Sequence, residues 1–199
     1  MRRALLGVAV VLLAGCSAGA DPEAEVTRGA TPVPTSVAGI EGVEFFDDLS
    51  TLHTEEPVEY PQVPPVGGPH LPRWLACDVY DEPVPDEAAV HSMEHGAVWI
   101  THAPDLPADD VALLAELVEL DREYVLVSPY EGLPSPVVVS TWGHQLQVDA
   151  ADDPRVRAFV EQFAGGDQGG EPGAPCRTGG VTPEQARETL GEGGTAVAG

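Results

Sequence analysis

The run Pro85-Asp86-Glu87-Ala88-Ala89-Val90-His91-Ser92-Met93-Glu94-His95-Gly96-Ala97-Val98-Trp99-Ile100-Thr101 changes character at its glycine. Before Gly96 the signals are helical: an acidic N-cap at Pro85-Asp86, Glu87 in the first turn, two alanines, and a glycine where a helix stops. After it, residues 97–101 form a short apolar run that reads as a buried strand. The spacing therefore predicts a helix over 87–95 followed directly by a core strand.

That prediction also sets the chemistry. On a helix, residues i and i+4 lie about 5 to 6 Å apart at Cβ, so His91 and His95 can serve one ion. In a strand they would be roughly 13 Å apart, too far for metal bonds of about 2 Å. The helical periodicity puts Glu94 near the same face and turns Met93 towards the core. An extended backbone would instead pair His91 with Met93, a soft set suited to Cu(I). The residues also fit H-x-x-E-H, the pattern in which two histidines hold zinc and Glu94 acts as general base. The alternative is structural: His91 and His95 bond carbonyls in a polar core, and Glu94 lies on a solvated face.

Upstream, Pro64-Pro65-Val66-Gly67-Gly68-Pro69-His70 ends a proline-stiffened loop on a histidine, a source of a third ligand. His53 joins the same site if its loop folds back. His102 and His144, at a strand end and a turn, are left out of the ligand set.

At the start of the chain, Met1-Arg2-Arg3 and an apolar run over residues 4–13 read as a secretion signal, too short for a stable membrane span. Leu13-Ala14-Gly15-Cys16 resembles a bacterial lipobox. The resemblance implies cleavage before Cys16, lipidation of that cysteine, and a chain held on the extracytoplasmic face of the cell membrane. The expected organisation is a signal peptide over 1–15, a lipidated flexible linker over 16–42, a globular domain over 43–178 and a disordered tail over 179–199. With Cys16 lipidated, Cys77 and Cys176 remain as a disulfide pair in an oxidising compartment. The competing assignment makes Cys77 a metal ligand and leaves Cys176 a free thiol.

Within the domain, residues 43–85 are proline-rich and predict loops with a few short strands. A helix is expected over 110–121 behind an Asp109 cap, strands over 124–128 and 137–142, a return strand ending at Val148 after a turn at Gly143-His144, and a helix begun by Asp153-Pro154. The fold class is α+β: one domain with a small mixed sheet and about three helices, thioredoxin-like in the order of its second half. There is no C-x-x-C, so thioredoxin-type redox chemistry is not supported.

Nine basic against 33 acidic residues give a net charge of −24, which argues against a nucleic-acid partner. Every basic residue is arginine, so lysine Schiff-base chemistry is closed. No G-x-S-x-G is present, and carboxylate pairs such as Glu87 with Glu94 are expected by chance in so acidic a chain.

Taken together, His53, Val58-Glu59-Tyr60-Pro61, the 64–70 element, Val79-Tyr80, Val90-His91-Ser92-Met93-Glu94-His95-Gly96 and Thr141-Trp142-Gly143 resemble the DUF3105 family of extracytoplasmic bacterial proteins, over about residues 50–165. The resemblance brings no established reaction. It implies that His53, His70, His91, Glu94 and His95 carry the family's histidine and glutamate motifs, and that His102 stands where the family often has tyrosine. The expected function is binding of a transition metal, copper before zinc, for copper handling or sensing through His70, His91 and His95 with Glu94 or His53. The alternatives are a zinc hydrolase with Glu94 as base, and a non-catalytic envelope module that binds another protein.

Overall fold

The computed structural model describes residues 35–191, so the expectations for the signal peptide, Cys16 and most of the linker lie outside the described residues. Among the described residues there are six strands: β1 (Thr35–Val37), β2 (Ile40–Phe45), β3 (Val98–His102), β4 (Val125–Pro129), β5 (Val137–Thr141) and β6 (His144–Val148). They form one mixed sheet in the order β1-β2-β6-β5-β3-β4. Only β3 and β4 run parallel; the remaining neighbours are antiparallel. The helices are α1 (Asp86–Glu94), α2 (Ala108–Glu116), extended by a 3-10 turn at Leu117–Glu119, α3 (Pro154–Phe163) and α4 (Pro183–Thr189).

Strand alternation sends side chains to opposite faces, and here it builds two cores. Val98, Ile100, Val125, Val127, Val139 and Leu146 pack with Leu114 of α2 and with Phe159, Val160 and Phe163 of α3. Trp99 and Leu126 face the other way, into a core with Val90 and Met93 of α1, the two cysteines, and Ala186 of α4. The α1 face of the sheet also carries polar groups, each satisfied: Trp99 Nε1 donates to Ser128 Oγ at 3.0 Å and Thr141 Oγ1 to the Ala97 carbonyl at 2.8 Å. A buried polar group without a partner costs about 1–3 kcal/mol, so such pairing is what lets polar residues occupy this layer.

The α+β class and the order β3-α2-β4-β5-β6-α3 follow the sequence expectation. The thioredoxin-like part of the expectation is not confirmed. Three boundaries differ. Residues 35–42, read as linker, lie in β1 and β2: Ala38 and Gly39 both take positive φ (52° and 84°), the two-residue turn that a hairpin's twist favours. Ile40 and Val43 are buried, and Val43 pairs with Leu146. The start of the expected tail is also ordered. Thr182 caps α4 through a capping box with Gln185, and Val181 and Ala186 are buried against the α1 core, which makes four helices where about three were expected. Finally, α2 starts at Ala108 after Pro107, with no side-chain cap, because Pro107 already sets the turn and Asp109 falls inside the helix.

Cys77 and Cys176 form a disulfide, so Cys77 is not a metal ligand. Among the described residues no helix is long and apolar enough to cross a membrane.

Candidate metal centre

α1 is buried on almost every side: Glu87 through Glu94 are all inside. A helix packed all round is normally apolar, yet this one carries His91, Ser92 and Glu94 into the interior. Its end is fixed by Gly96, whose φ of +105° belongs to glycine, and whose absent Cβ would lie 2.9 Å from the Gly166 carbonyl. The same closeness governs the loop that covers Glu94. A Cβ on Gly169 would meet the Glu94 carbonyl at 2.0 Å, and one on Gly170 would meet Glu94 Oε1 at 2.6 Å.

Two loops fold over the helix. The Leu52 carbonyl accepts from His70 N at 3.0 Å and the His70 carbonyl from Thr54 N at 2.7 Å, a bridge that lays His53 beside His70. Tyr60 Oη donates to the Pro69 carbonyl at 2.6 Å and Glu87 Oε1 accepts from Val58 N at 2.8 Å, which pins the proline-rich segment. Glu87 is thus an anchor for that loop and not a partner of Glu94.

The result is a close group of imidazoles and carboxylates. Donor atoms of His53, His70, His91 and Glu94 all lie within 4.8 Å of one another, as do those of His91, His95 and Glu171. Either group could hold a metal ion. His70 and Glu94 are fully enclosed, whereas the His53 side chain is 41% exposed and that of Glu171 51% exposed. Trp142 packs edge-on against His70, and Trp74 lies tilted against His95.

Three histidines have their tautomer set by the main chain. Nδ1 of His70 lies 2.8 Å from the Gly68 carbonyl, that of His91 2.5 Å from the Leu71 carbonyl, and that of His95 2.8 Å from the Pro175 carbonyl. A carbonyl only accepts, so each Nδ1 carries a proton, which leaves Nε2 as the ring nitrogen that can offer a lone pair. A hydrogen bond at one ring nitrogen that leaves the other free is the usual preparation of a histidine for metal. Burial reinforces this by disfavouring the charged form: it holds His91 down to about 3, aided by the neighbouring histidines, and pushes His70 below the ordinary imidazole range.

His70 Nε2 and Glu94 Oε2 are both buried without a hydrogen-bond partner, yet they lie 2.9 Å apart. With the His70 proton on Nδ1, this contact sets a lone pair against a carboxylate oxygen. Such a contact is relieved by a metal ion held between the two atoms or by a proton on one of them.

Of the five residues expected at one site from the sequence, His53, His70, His91 and Glu94 fall in one donor group, whereas His95 falls in the other with His91 and Glu171, so the expected trio of His70, His91 and His95 does not share one position. His102 and His144 stay outside both groups, though His102 is buried at the end of β3 and bonds the Ala103 carbonyl. Met93 is fully buried in the α1 core, on the side expected of a helix. Glu171 was missed. It sits in a glycine-rich stretch with no periodicity, and its one sequence signal is Cys176 five residues on, which the disulfide ties to the approach of α1.

The family described as Protein of unknown function (DUF3105) matches residues 52–178. No curated protein and no solved structure matches the chain. The chain belongs to the DUF3105 family.

Proposed function

We propose that this DUF3105 member is a transition-metal-binding protein that handles or senses copper, held by lipid on Cys16 at the extracytoplasmic face of the cell membrane. The observation that carries the reading is the buried, unpartnered pair of His70 Nε2 and Glu94 Oε2, completed by His91 and His53. Three imidazoles and one carboxylate make a nitrogen and oxygen set, for which the Irving–Williams order favours Cu(II) over Zn(II). Met93 faces the core, so the soft His/Met set has no support.

The hydrolase alternative needs Glu94 free to activate a water on an ion held by His91 and His95. Its carboxylate instead faces His70 and His53, the arrangement of a ligand. An envelope-protein partner stays compatible with metal binding and becomes the leading reading if no metal is taken up.

The test is elemental analysis of the full chain after equilibration with copper and with zinc, beside a variant carrying both His70→Ala and His91→Ala. Stoichiometric copper lost in the variant supports the reading. Absence of both metals in the unsubstituted chain contradicts it.

A further inference from the structure

His91 belongs to both donor groups. Its Nδ1 is committed to the Leu71 carbonyl at 2.5 Å, which leaves Nε2 as its single free lone pair. One nitrogen lone pair holds one ion, so the two groups cannot be filled together through His91 while that hydrogen bond stands. They also differ in exposure and in ligand number. The inner group (His53, His70, His91, Glu94) has four donors, with His70 and Glu94 enclosed; the outer group (His91, His95, Glu171) has three, one of them the 51% exposed Glu171 carboxylate.

Resting on the metal-binding reading above, we propose that the outer group is a second, alternative position for the same metal ion, through which it enters and leaves the inner position by pivoting on His91. In the inward move, the bonds from the ion to His95 Nε2 and Glu171 Oε2 break, those to His53, His70 and Glu94 form, and the bond to His91 is kept. No electron is transferred, and each position supplies one carboxylate charge. Three protein donors leave room for a fourth ligand from outside, the requirement for exchange with a donor or acceptor molecule.

Two main-chain contacts hold the outer position. His95 Nε2 lies 3.4 Å from Glu171 Oε2, and the His95 ring is fixed by the Pro175 carbonyl beside the disulfide. Glu171 is fixed by its own N–H, which donates to the Glu94 carbonyl at 3.1 Å. One helix terminus therefore carries the carboxylate of the inner position and the backbone anchor of the outer one.

The experiment titrates Cu(II) into the full chain and then measures release to excess chelator, for the unsubstituted protein, Glu171→Gln, His70→Ala, and His70→Ala with Glu171→Gln. A single copper per chain is expected at saturation. Glu171→Gln should slow release by about tenfold or more, a barrier increase near 1.4 kcal/mol, and lower the affinity less than His70→Ala does; a release rate equal to that of the unsubstituted chain would overturn the proposal. His70→Ala should weaken binding by about 10- to 100-fold and make what remains depend on Glu171. Should His70→Ala unfold the chain, His53→Ala, at an exposed position, weakens the inner set in its place. Two coppers per chain, equal affinity losses from Glu171→Gln and His70→Ala, or a double variant no weaker than His70→Ala would each overturn the proposal. No copper in the unsubstituted chain would overturn it together with the reading on which it rests.

Discussion

His70 Nε2 and Glu94 Oε2 lie 2.9 Å apart in the protein interior, and neither has a hydrogen-bond partner. An uncompensated acceptor–acceptor contact of this kind destabilises the metal-free fold and is relieved by a cation. Glu94→Gln supplies an amide N–H to His70 Nε2 and removes the buried charge. The variant is expected to raise metal-free stability by about 1–3 kcal/mol while copper affinity falls by about 10- to 100-fold. Thermal melts in chelator and copper competition titrations measure both. A metal-free variant less stable than the parent would mean that the pair is an ordinary ion pair.

Acid should weaken the metal-free fold before its carboxylates titrate. His91 is held near 3 and His70 below its ordinary value of 6.5. Between pH 6.5 and about 3 the unfolded chain therefore binds protons at these rings that the folded chain does not. The stability is fully present above pH 6.5 and is lost as pH falls, by about 1.4 kcal/mol per pH unit for His91. Denaturant midpoints between pH 7 and 4 should show this slope, and His91→Ala should flatten it.

Met93 tests the thioether reading. It is fully buried in the α1 core, so Met93→Leu should cost less than about 1.5 kcal/mol and leave copper uptake unchanged. A fall in Cu(I) affinity would return Met93 to the ligand set.

Gly169 lets the covering loop lie on the end of α1. A Cβ there would sit 2.0 Å from the Glu94 carbonyl, so Gly169→Ala is expected to cost about 1–3 kcal/mol through overpacking and to lower metal uptake by displacing Glu94. Chemical unfolding and elemental analysis of the same sample check both effects; unchanged stability would contradict the contact.

The disulfide links residues 99 apart in sequence, for which the chain-entropy argument gives about 4–5 kcal/mol. It also holds Pro175 against His95. Replacing both Cys77 and Cys176 with alanine should lower the unfolding free energy by up to that amount and, at equal folded fraction, impair release of copper more than its binding.

The parts of this molecule legible in its sequence are those whose signals are local. The helix carrying His91, Glu94 and His95 follows from alanines, acidic residues in the first turn and a terminal glycine. α3 follows from Asp153-Pro154 and the inward Val156, Phe159, Val160 and Phe163, all buried. The convergence of His53 and His70 was readable only as a condition, because it depends on a bridge between two loops. Elements that owe their order to distant partners were hidden. β2 is recruited by β6, and α4 packs on the core beside the disulfide although its glycine-rich surroundings read as a tail. Glu171 belongs to that class: residues 169–171 look like linker, yet their lack of side chains at 169 and 170 is what lets the backbone close on Glu94.

The most direct test of metal binding at the His70–Glu94 pair is the electron paramagnetic resonance spectrum of the full chain loaded with one equivalent of Cu(II), set beside that of His70→Ala. The account predicts a tetragonal signal with nitrogen couplings from several imidazoles, at least one of which disappears in the variant. A spectrum of aqueous copper, or one identical in the two proteins, would contradict it.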